Sequence, residues 1–356
     1  MGYNYGKLVK GMRYLPLSEI TEEMYLARPI FSGDGKVLLS NGVKLTKSYL
    51  ERLKGLGYEH LYVYMEGEKV TTFSAPVSDQ TIRDALQGVK DSFLKAAQQR
   101  QLNLKQVNEV VNYILDEILT NPTVLYNLMD LKNHDNYYYL HSVNVSIISA
   151  LIGKKLGLAR DKIKELTTGA LLHDIGMVCI DPLIISQPRR LSDEEMAAVR
   201  EHTNFGFQLL RSARNLSVLV AHIAYQHHER MDGSGYPKGI TGKDIHLYGK
   251  IVAVADSYET MTTGRVYRKA LWSHEAIRQL KESAPEKYDP DVVEAMASSV
   301  ASYPVGSVVS LNTHEEAVVV DVNAKKITIQ FSSGPRVNAL LDLEPDSEIK
   351  IEERLS

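Results

Sequence analysis

The sequence predicts a mainly α fold: an all-helical domain over residues 79–302, flanked by a small α+β unit with its linker (1–78) and a small β domain (303–356). Three observations carry this. From Asp79 to about Ser299 apolar residues recur at helical steps, as in Ile82, Leu86, Val89, Phe93 and then Val107, Val110, Val111, Ile114, Leu115, Ile118. Before that stretch, short β-branched runs flank hairpin turn signals. After Pro304 the period drops to two.

In the first unit, Ile30-Phe31 and Val37-Leu38-Leu39 flank Gly33-Asp34-Gly35, and Asn41-Gly42 marks a second turn. A short helix opens at Thr46, with Leu45 and Leu50 spaced as a hydrophobic staple. A strand around Leu61-Tyr62-Val63-Tyr64 closes the unit, and the polar stretch Glu66 to Ser78 reads as a linker. At the other end, Val308-Val309, Ala317 to Val320 and Ile327 to Phe331 read as strands, with turns at Asp321 to Lys325 and Ser332 to Pro335.

The balance of 41 Lys+Arg against 44 Asp+Glu gives a net charge of −3, which argues against a partner that is a nucleic-acid polymer. With 44% hydrophobic residues the chain is of ordinary globular composition rather than disordered. Its single cysteine, Cys179, neither pairs within the chain nor builds a thiolate cage, so a reducing, cytoplasmic location is expected. The most apolar run, Val143 to Ile152, stops at Lys154-Lys155, too short for a membrane span. The opening residues lack the order of a secretory signal.

Histidine is unevenly spread. Eight of the 11 fall in the 113 residues from His134 to His246, which points to a site because imidazole is the commonest metal ligand. His173-Asp174 ends a helix whose apolar side is Ile163, Leu166, Ala170 and Leu171, with Gly176 expected as a left-handed cap. His202 is expected on the inward side of the next helix, which opens with a capping box from Ser192 to Glu195. His227-His228 follow the apolar stretch Leu216 to Ala224, so two imidazoles and the carboxylate of Glu229 lie at a largely buried helix end and need partners. His141 shares a helix face with Val145, Ile148 and Ile152. Asp256 interrupts Ile251 to Ala255 in a helix apolar on nearly every side; a carboxylate there needs a cation, either a metal or an arginine such as Arg265 or Arg268. Taken singly, a His-Asp pair or an inward histidine such as His202 is more often structural than functional, whereas for Asp256 a metal is the more natural partner. Together they offer nitrogen and oxygen donors without sulfur, suited to iron, manganese or zinc, in a number that exceeds the needs of one ion.

The loop Asp232-Gly233-Ser234-Gly235-Tyr236-Pro237 combines close backbone approach with an aromatic face, as a nucleotide pocket needs. These residues in this order resemble the HD-GYP family, HD-superfamily phosphodiesterases that degrade the bacterial second messenger cyclic di-GMP. The match runs from Asp135 to Arg268. It takes in Asp135-Asn136-Tyr137-Tyr138-Tyr139-Leu140-His141-Ser142, the HD doublet, His202-Thr203-Asn204-Phe205-Gly206, the run from His227 through Pro237, and Ala255-Asp256-Ser257-Tyr258 onward.

The resemblance implies a helical HD-superfamily domain and a binuclear metal centre held by His141, His173, Asp174, His202, His227, His228 and Asp256, with Asp174 as the bridge. It also implies hydrolysis of cyclic di-GMP to pGpG, and in some members GMP, by a hydroxide held between the ions, with His173 and Asp174 catalytic. Gly235, Tyr236, Pro237, Arg265 and Arg268 are then the substrate-binding residues, the arginines for phosphate. Two positions depart from the family pattern. Tyr137 replaces the glutamate that helps some members hold a third metal, so two ions rather than three are expected. Met177 stands where a lysine often touches the scissile phosphate. That second departure motivates two other readings, a non-catalytic cyclic dinucleotide receptor or interaction module and a hydrolase of another cyclic dinucleotide. The flanking parts are expected to serve regulation, docking or homodimerisation.

Overall fold

The computed structural model describes residues 11–31, 37–58, 60–68, 77–120, 137–185, 187, 189–263, 270–323, 326–344 and 346–355. They form two compact units, one built from the described residues before 69 and after 300, the other from those between 77 and 300.

The first unit is an α+β structure in which both ends of the chain take part. Strands β1 (Arg13–Pro16), β2 (Met24–Leu26) and β5 (His60–Met65) make an antiparallel sheet in the order β1-β5-β2, and β3 (Ile30–Phe31) pairs with β4 (Val37–Leu39). The turn predicted at Gly33-Asp34-Gly35 lies outside the described residues. Helix α1 (Lys47–Gly55) starts where the sequence places it, with the Tyr49 amide donating to the Thr46 hydroxyl and both Leu45 and Leu50 in the core. Strands β6 (Val308–Leu311), β7 (Glu316–Val322), β8 (Ile327–Phe331), β9 (Leu340–Leu343) and β10 (Ile351–Arg354) form a second antiparallel sheet, ordered β10-β6-β7-β8-β9. Of these, β9 and β10, like β1 and β2, are not evident in the sequence, because their apolar positions are few and interrupted.

Alternation along β6 and β7 explains why the two sheets share a unit. Val308 and Val318 pack with Leu15, Leu26, Leu45, Leu53 and Val63, whereas their neighbours Val309, Ala317 and Val319 pack with Ile329, Phe331 and Leu343. Side chains at successive strand positions point to opposite faces, so both faces here are buried. The Tyr14 amide also donates to the Gly306 carbonyl at 2.9 Å.

The second unit is all-helical: α2 (Asp79–Gln99), α3 (Leu104–Thr120), α4 (Tyr137–Lys155), α5 (Arg160–Leu171), α6 (Pro182–Ile185), α7 (Asp193–Arg200), α8 (His202–Ser212), α9 (Val218–Gln226), α10 (Leu247–Thr262), α11 (Ser273–Ser283) and α12 (Pro290–Ala297). The most buried of these, α4, packs against α2, α3, α5, α10 and α12, and α9 packs against α5, α8 and α10. On α4, Val143, Val145, Ile147, Ile148, Ala150 and Ile152 are all buried, so the helix lacks the polar face of a surface helix. Among the described residues no helix is long and apolar enough to cross a membrane.

Two local expectations are corrected. The capping box at Ser192 and Glu195 is present, but it opens α7, and His202 begins a separate helix after a break at Glu201. Gly176 does not have left-handed backbone; it sits in a short 3₁₀ helix, Ile175–Cys179, and its role is close packing, as described next.

Candidate metal centre

Helix α5 ends at Leu171 and the chain turns at once, so His173 and Asp174 project from its C-terminal end. The turn is tied by the Ile175 amide on the Leu172 carbonyl (3.0 Å) and the Met177 amide on the Asp174 carbonyl (2.9 Å). A Cβ on Gly176 would lie 1.9 Å from the His202 carbonyl oxygen and 2.5 Å from the Gly206 nitrogen. Only glycine lets this turn sit on the first turn of α8, and that contact brings Asp174 to His202. From α9, His227 is the C-terminal cap and His228 follows it; α4 supplies His141 and α10 supplies Asp256. The apolar stretch before His227 is buried through Val220, Ala221, Ile223 and Ala224, but Val218 at its start is 54% exposed.

All seven predicted ligands converge, as two sets whose candidate donor atoms lie within 4.8 Å of one another: Asp174, His202, His227, His228 and, beside them, His141, His173, Asp256. Asp174 stands between the sets. Its Oδ1 is 3.3 Å from His202 Nε2 and 3.6 Å from His227 Nε2, while its Oδ2 is 3.6 Å from His173 Nε2 and 3.8 Å from His141 Nε2. Asp256 Oδ1 lies 3.3 Å from His141 Nε2 and its Oδ2 3.9 Å from His228 Nδ1.

The far side of the imidazoles fixes which nitrogen faces inward. Nδ1 of His173 and of His202 each lies 2.7 Å from a backbone carbonyl, of Ala170 and Val199, and Nδ1 of His227 is 3.0 Å from the Ala224 carbonyl. A carbonyl only accepts, so these Nδ1 atoms carry the proton and Nε2 presents its lone pair to the centre. His173 Nε2 is buried and has no hydrogen-bond partner among the described residues. Such a vacant acceptor costs free energy unless a cation or water meets it.

Electrostatics point the same way. Burial lowers His173 to about 4 and also lowers His202 and His228, so these rings are neutral at pH 7. Burial works to raise the Asp174 carboxyl, but the histidines beside it, His173 first, outweigh that and hold it well below the ordinary carboxylate range. Asp256 is likewise held low against its burial, chiefly by His141. Among the described residues neither aspartate pairs with a lysine or arginine; their ion-pair partners are histidines. Ionised carboxylates among neutral imidazoles form a donor set complementary to hard or borderline cations. Arg265 and Arg268, the protein cations weighed as partners of Asp256, lie outside the described residues.

The loop after His228 is held in place by Glu229, a buried carboxylate that accepts from the Lys238 amide (2.8 Å) and the Ile240 amide (3.1 Å). A Cβ on Gly235 would lie 2.4 Å from the His228 carbonyl oxygen, so this glycine permits the loop to fold onto the histidine pair. Tyr236 then stacks on His228, ring centroids 4.6 Å apart at 28°, and the Arg200 guanidinium lies over the Tyr236 ring, 5.0 Å from its centroid. Pro237, half-buried, follows it. Met177 is half-buried in the 3₁₀ turn.

Sequence reasoning missed one residue. Glu259, fully buried on α10, places Oε2 2.6 Å from His141 Nδ1. The signal was available: like Asp256, one turn earlier, it interrupts the apolar surface of α10. Conversely, the histidine surplus overstates the site. His246 caps α10 by accepting from the Tyr248 amide, His222 packs on Phe207, and His134 lies outside the described residues.

Comparison with known proteins supports the helical HD-domain fold. Residues 123–292 match a family model described as an HD domain. A cyclic di-GMP phosphodiesterase of Pseudomonas aeruginosa is 33% identical over 254 residues, which cover 70% of this chain and 61% of that protein. A cyclic di-GMP phosphodiesterase of Thermotoga maritima is 33% identical over 207 residues, covering 58% of this chain and 56% of the relative. The chain therefore spans 61% and 56% of the length of these two relatives. A solved structure, an HDG"Y"P protein of Bdellovibrio bacteriovorus, has the same fold with TM-score 0.52 at 20% identity, covering 80% of this chain and 98% of that one. Fold and match define a helical HD-domain protein with small sheet regions at either end of the chain. Residues 123–292 thus carry an HD domain, and this domain together with the His/Asp clusters points to divalent metal binding.

Proposed function

We propose that this chain is a metal-dependent phosphodiesterase that hydrolyses cyclic di-GMP to pGpG, with GMP as the product of a second cut. The reading rests on one observation above all: the two oxygens of Asp174 face two different sets of imidazole nitrogens, the arrangement a carboxylate needs to bridge a pair of cations. The matches to proteins named cyclic di-GMP phosphodiesterases support the substrate.

In this reading His202, His227 and His228 hold one ion and His141, His173 and Asp256 the other, with Asp174 between. Iron or manganese suits the donor set best and zinc is the third choice. When bound, such a pair supplies Lewis-acid polarisation of the phosphoryl oxygens and acidifies a water at neutral pH. The chain's own part is positional. The carbonyl-bonded Nδ1 atoms lock the ring orientations, and the buried helix ends keep bulk water from the donors. Tyr236, pinned through Gly235 and Glu229, offers an aromatic face to a guanine, with Pro237 holding the loop's exit. Arg265 and Arg268 are assigned to the phosphates. We place the reaction in the cytoplasm and assign the α+β unit a docking, dimerisation or regulatory role.

The test is direct. Protein loaded anaerobically with Fe²⁺ or Mn²⁺ should convert cyclic di-GMP to pGpG or GMP on product chromatography. Protein that holds its metal yet leaves cyclic di-GMP intact contradicts the proposal. Met177, where a lysine would reach phosphate, favours a second reading as a cyclic dinucleotide receptor; tight calorimetric binding without turnover would establish it. Turnover of a different cyclic dinucleotide in preference to cyclic di-GMP would redirect the substrate assignment.

A further inference from the structure

Glu259 is a buried carboxylate with no lysine or arginine in ion pair with it among the described residues, which is costly unless its charge serves a purpose. It is fully enclosed by donors. His141 Nδ1 lies 2.6 Å from Oε2, Asn144 Nδ2 donates to Oε1 at 3.2 Å, and the Thr263 hydroxyl donates to Oε1 at 2.9 Å. Asn144 follows His141 by three positions on α4, and Glu259 follows Asp256 by three on α10, so each pair shares a helix face one turn apart. The result is that the His141 ring is held at both nitrogens by one helix: Nε2 faces Asp256 Oδ1 at 3.3 Å and Nδ1 faces Glu259.

His141 is thus unlike its neighbours. His173, His202 and His227 rest their Nδ1 on neutral backbone carbonyls, while His141 alone among these four rests it on a carboxylate. A carboxylate behind an imidazole fixes the Nδ1–H tautomer, orients the ring and raises the basicity of the opposite nitrogen. Its negative charge also offsets part of the charge of an ion bound in front.

We propose that Glu259 is the positioning residue of the metal centre, acting through His141 Nδ1 to set the affinity of the ion held by His141, His173 and Asp256. This rests on the metal-centre reading above. Asn144 and Thr263 serve it in turn, by saturating the other carboxylate oxygen so that Oε2 stays directed at the ring.

The test titrates Mn²⁺ into metal-free, full-length protein and reads free Mn²⁺ by electron paramagnetic resonance. Glu259→Gln should bind its weakest-held Mn²⁺ about 10–100-fold less tightly than wild type. A role in packing alone would shift the unfolding of the metal-free protein and leave the Mn²⁺ affinity of folded protein alone. Folded Glu259→Gln with wild-type affinity overturns the proposal. If that variant does not fold, wild-type protein loaded with Zn²⁺ and labelled with ¹⁵N at histidine decides: a proton on His141 Nδ1 is expected, and its absence overturns the assignment. Wild-type protein that takes up no Mn²⁺, Fe²⁺ or Zn²⁺ overturns the metal-centre reading itself, a result distinct from equal affinities in the two proteins.

Discussion

Oδ1 of Asp174 lies 3.3 Å from Nε2 of His202, a contact that depends on the 3₁₀ turn after Asp174 lying directly on the start of α8. The same carboxylate faces His141 with its other oxygen, so one residue links both halves of the donor set. Asp174→Ala should therefore lose metal from both sets, where loss of a ligand belonging to one set alone would spare the other. Turnover should fall by about a thousandfold, equivalent to about 4 kcal/mol of transition-state stabilisation. Metal analysis of the purified variant is the check, and a full metal load would show that Asp174 does not bridge.

Gly176→Ala should act on the same contact without touching a donor atom. The added Cβ meets the backbone of His202 and Gly206, not a flexible side-chain end, so the turn has to move away from α8. A cost of about 2–3 kcal/mol follows, lowering the melting temperature by roughly 4–12 °C for a unit of this size. Calorimetry together with metal content measures both effects; a variant as stable and as metal-rich as wild type would refute the packing argument.

Acid should destabilise the metal-free protein well above the range where carboxylates titrate. Folding lowers His173 from 6.5 to about 4 through burial, so between these values the unfolded chain binds a proton that the folded chain refuses. Stability is thus intact above pH 6.5 and falls as the pH drops toward 4, by about 1.4 kcal/mol per pH unit for this one ring. His202 and His228 are lowered too and add in the same direction. Asp174 and Asp256, also held low, contribute a loss only when the pH falls below their unfolded value of 3.8. Urea unfolding of chelator-treated protein at pH 7 and pH 5 would reveal the trend, and equal midpoints would contradict it.

Tyr236→Ala should raise KM for cyclic di-GMP by about 5–150-fold, since stacking a base on an aromatic ring contributes about 1–3 kcal/mol. Tyr236→Phe should raise it far less. Burial, with Asp174 and Asp256 nearby, pushes the Tyr236 phenol up, so the hydroxyl stays protonated and the ring face is what the substrate would use. Steady-state kinetics on both variants separates a stacking role from a hydroxyl role; equal losses in the two would favour the hydroxyl.

The convergence of the candidate ligands was legible because polar donors in a buried site must interrupt apolar helix faces. His141 and Asp256 break such faces, and the HD and HH doublets follow the ends of α5 and α9, where a sequence reader can see the apolar periodicity stop. Glu259 breaks the same surface as Asp256, yet its partner His141 is 118 positions away, and no local pattern announces which face of α4 it meets. Gly176 was misread for a related reason: a glycine just past a helix suggests left-handed backbone, whereas here the constraint is the approach of α8 from outside the local sequence. Helix boundaries set by a single residue, such as the break at Glu201, leave the apolar spacing almost unchanged and so escape it.

The hydrogen bond from Tyr14 to Gly306 joins positions 292 apart, and Val308 and Val318 complete a core begun by Leu15. On a ribosome, strands β1 and β2 must therefore wait, partly exposed, until residues 306–318 have emerged, while the helical region made in between can consolidate from nearby contacts as it appears. Synthesis order thus has strands made before the helical unit finished after it.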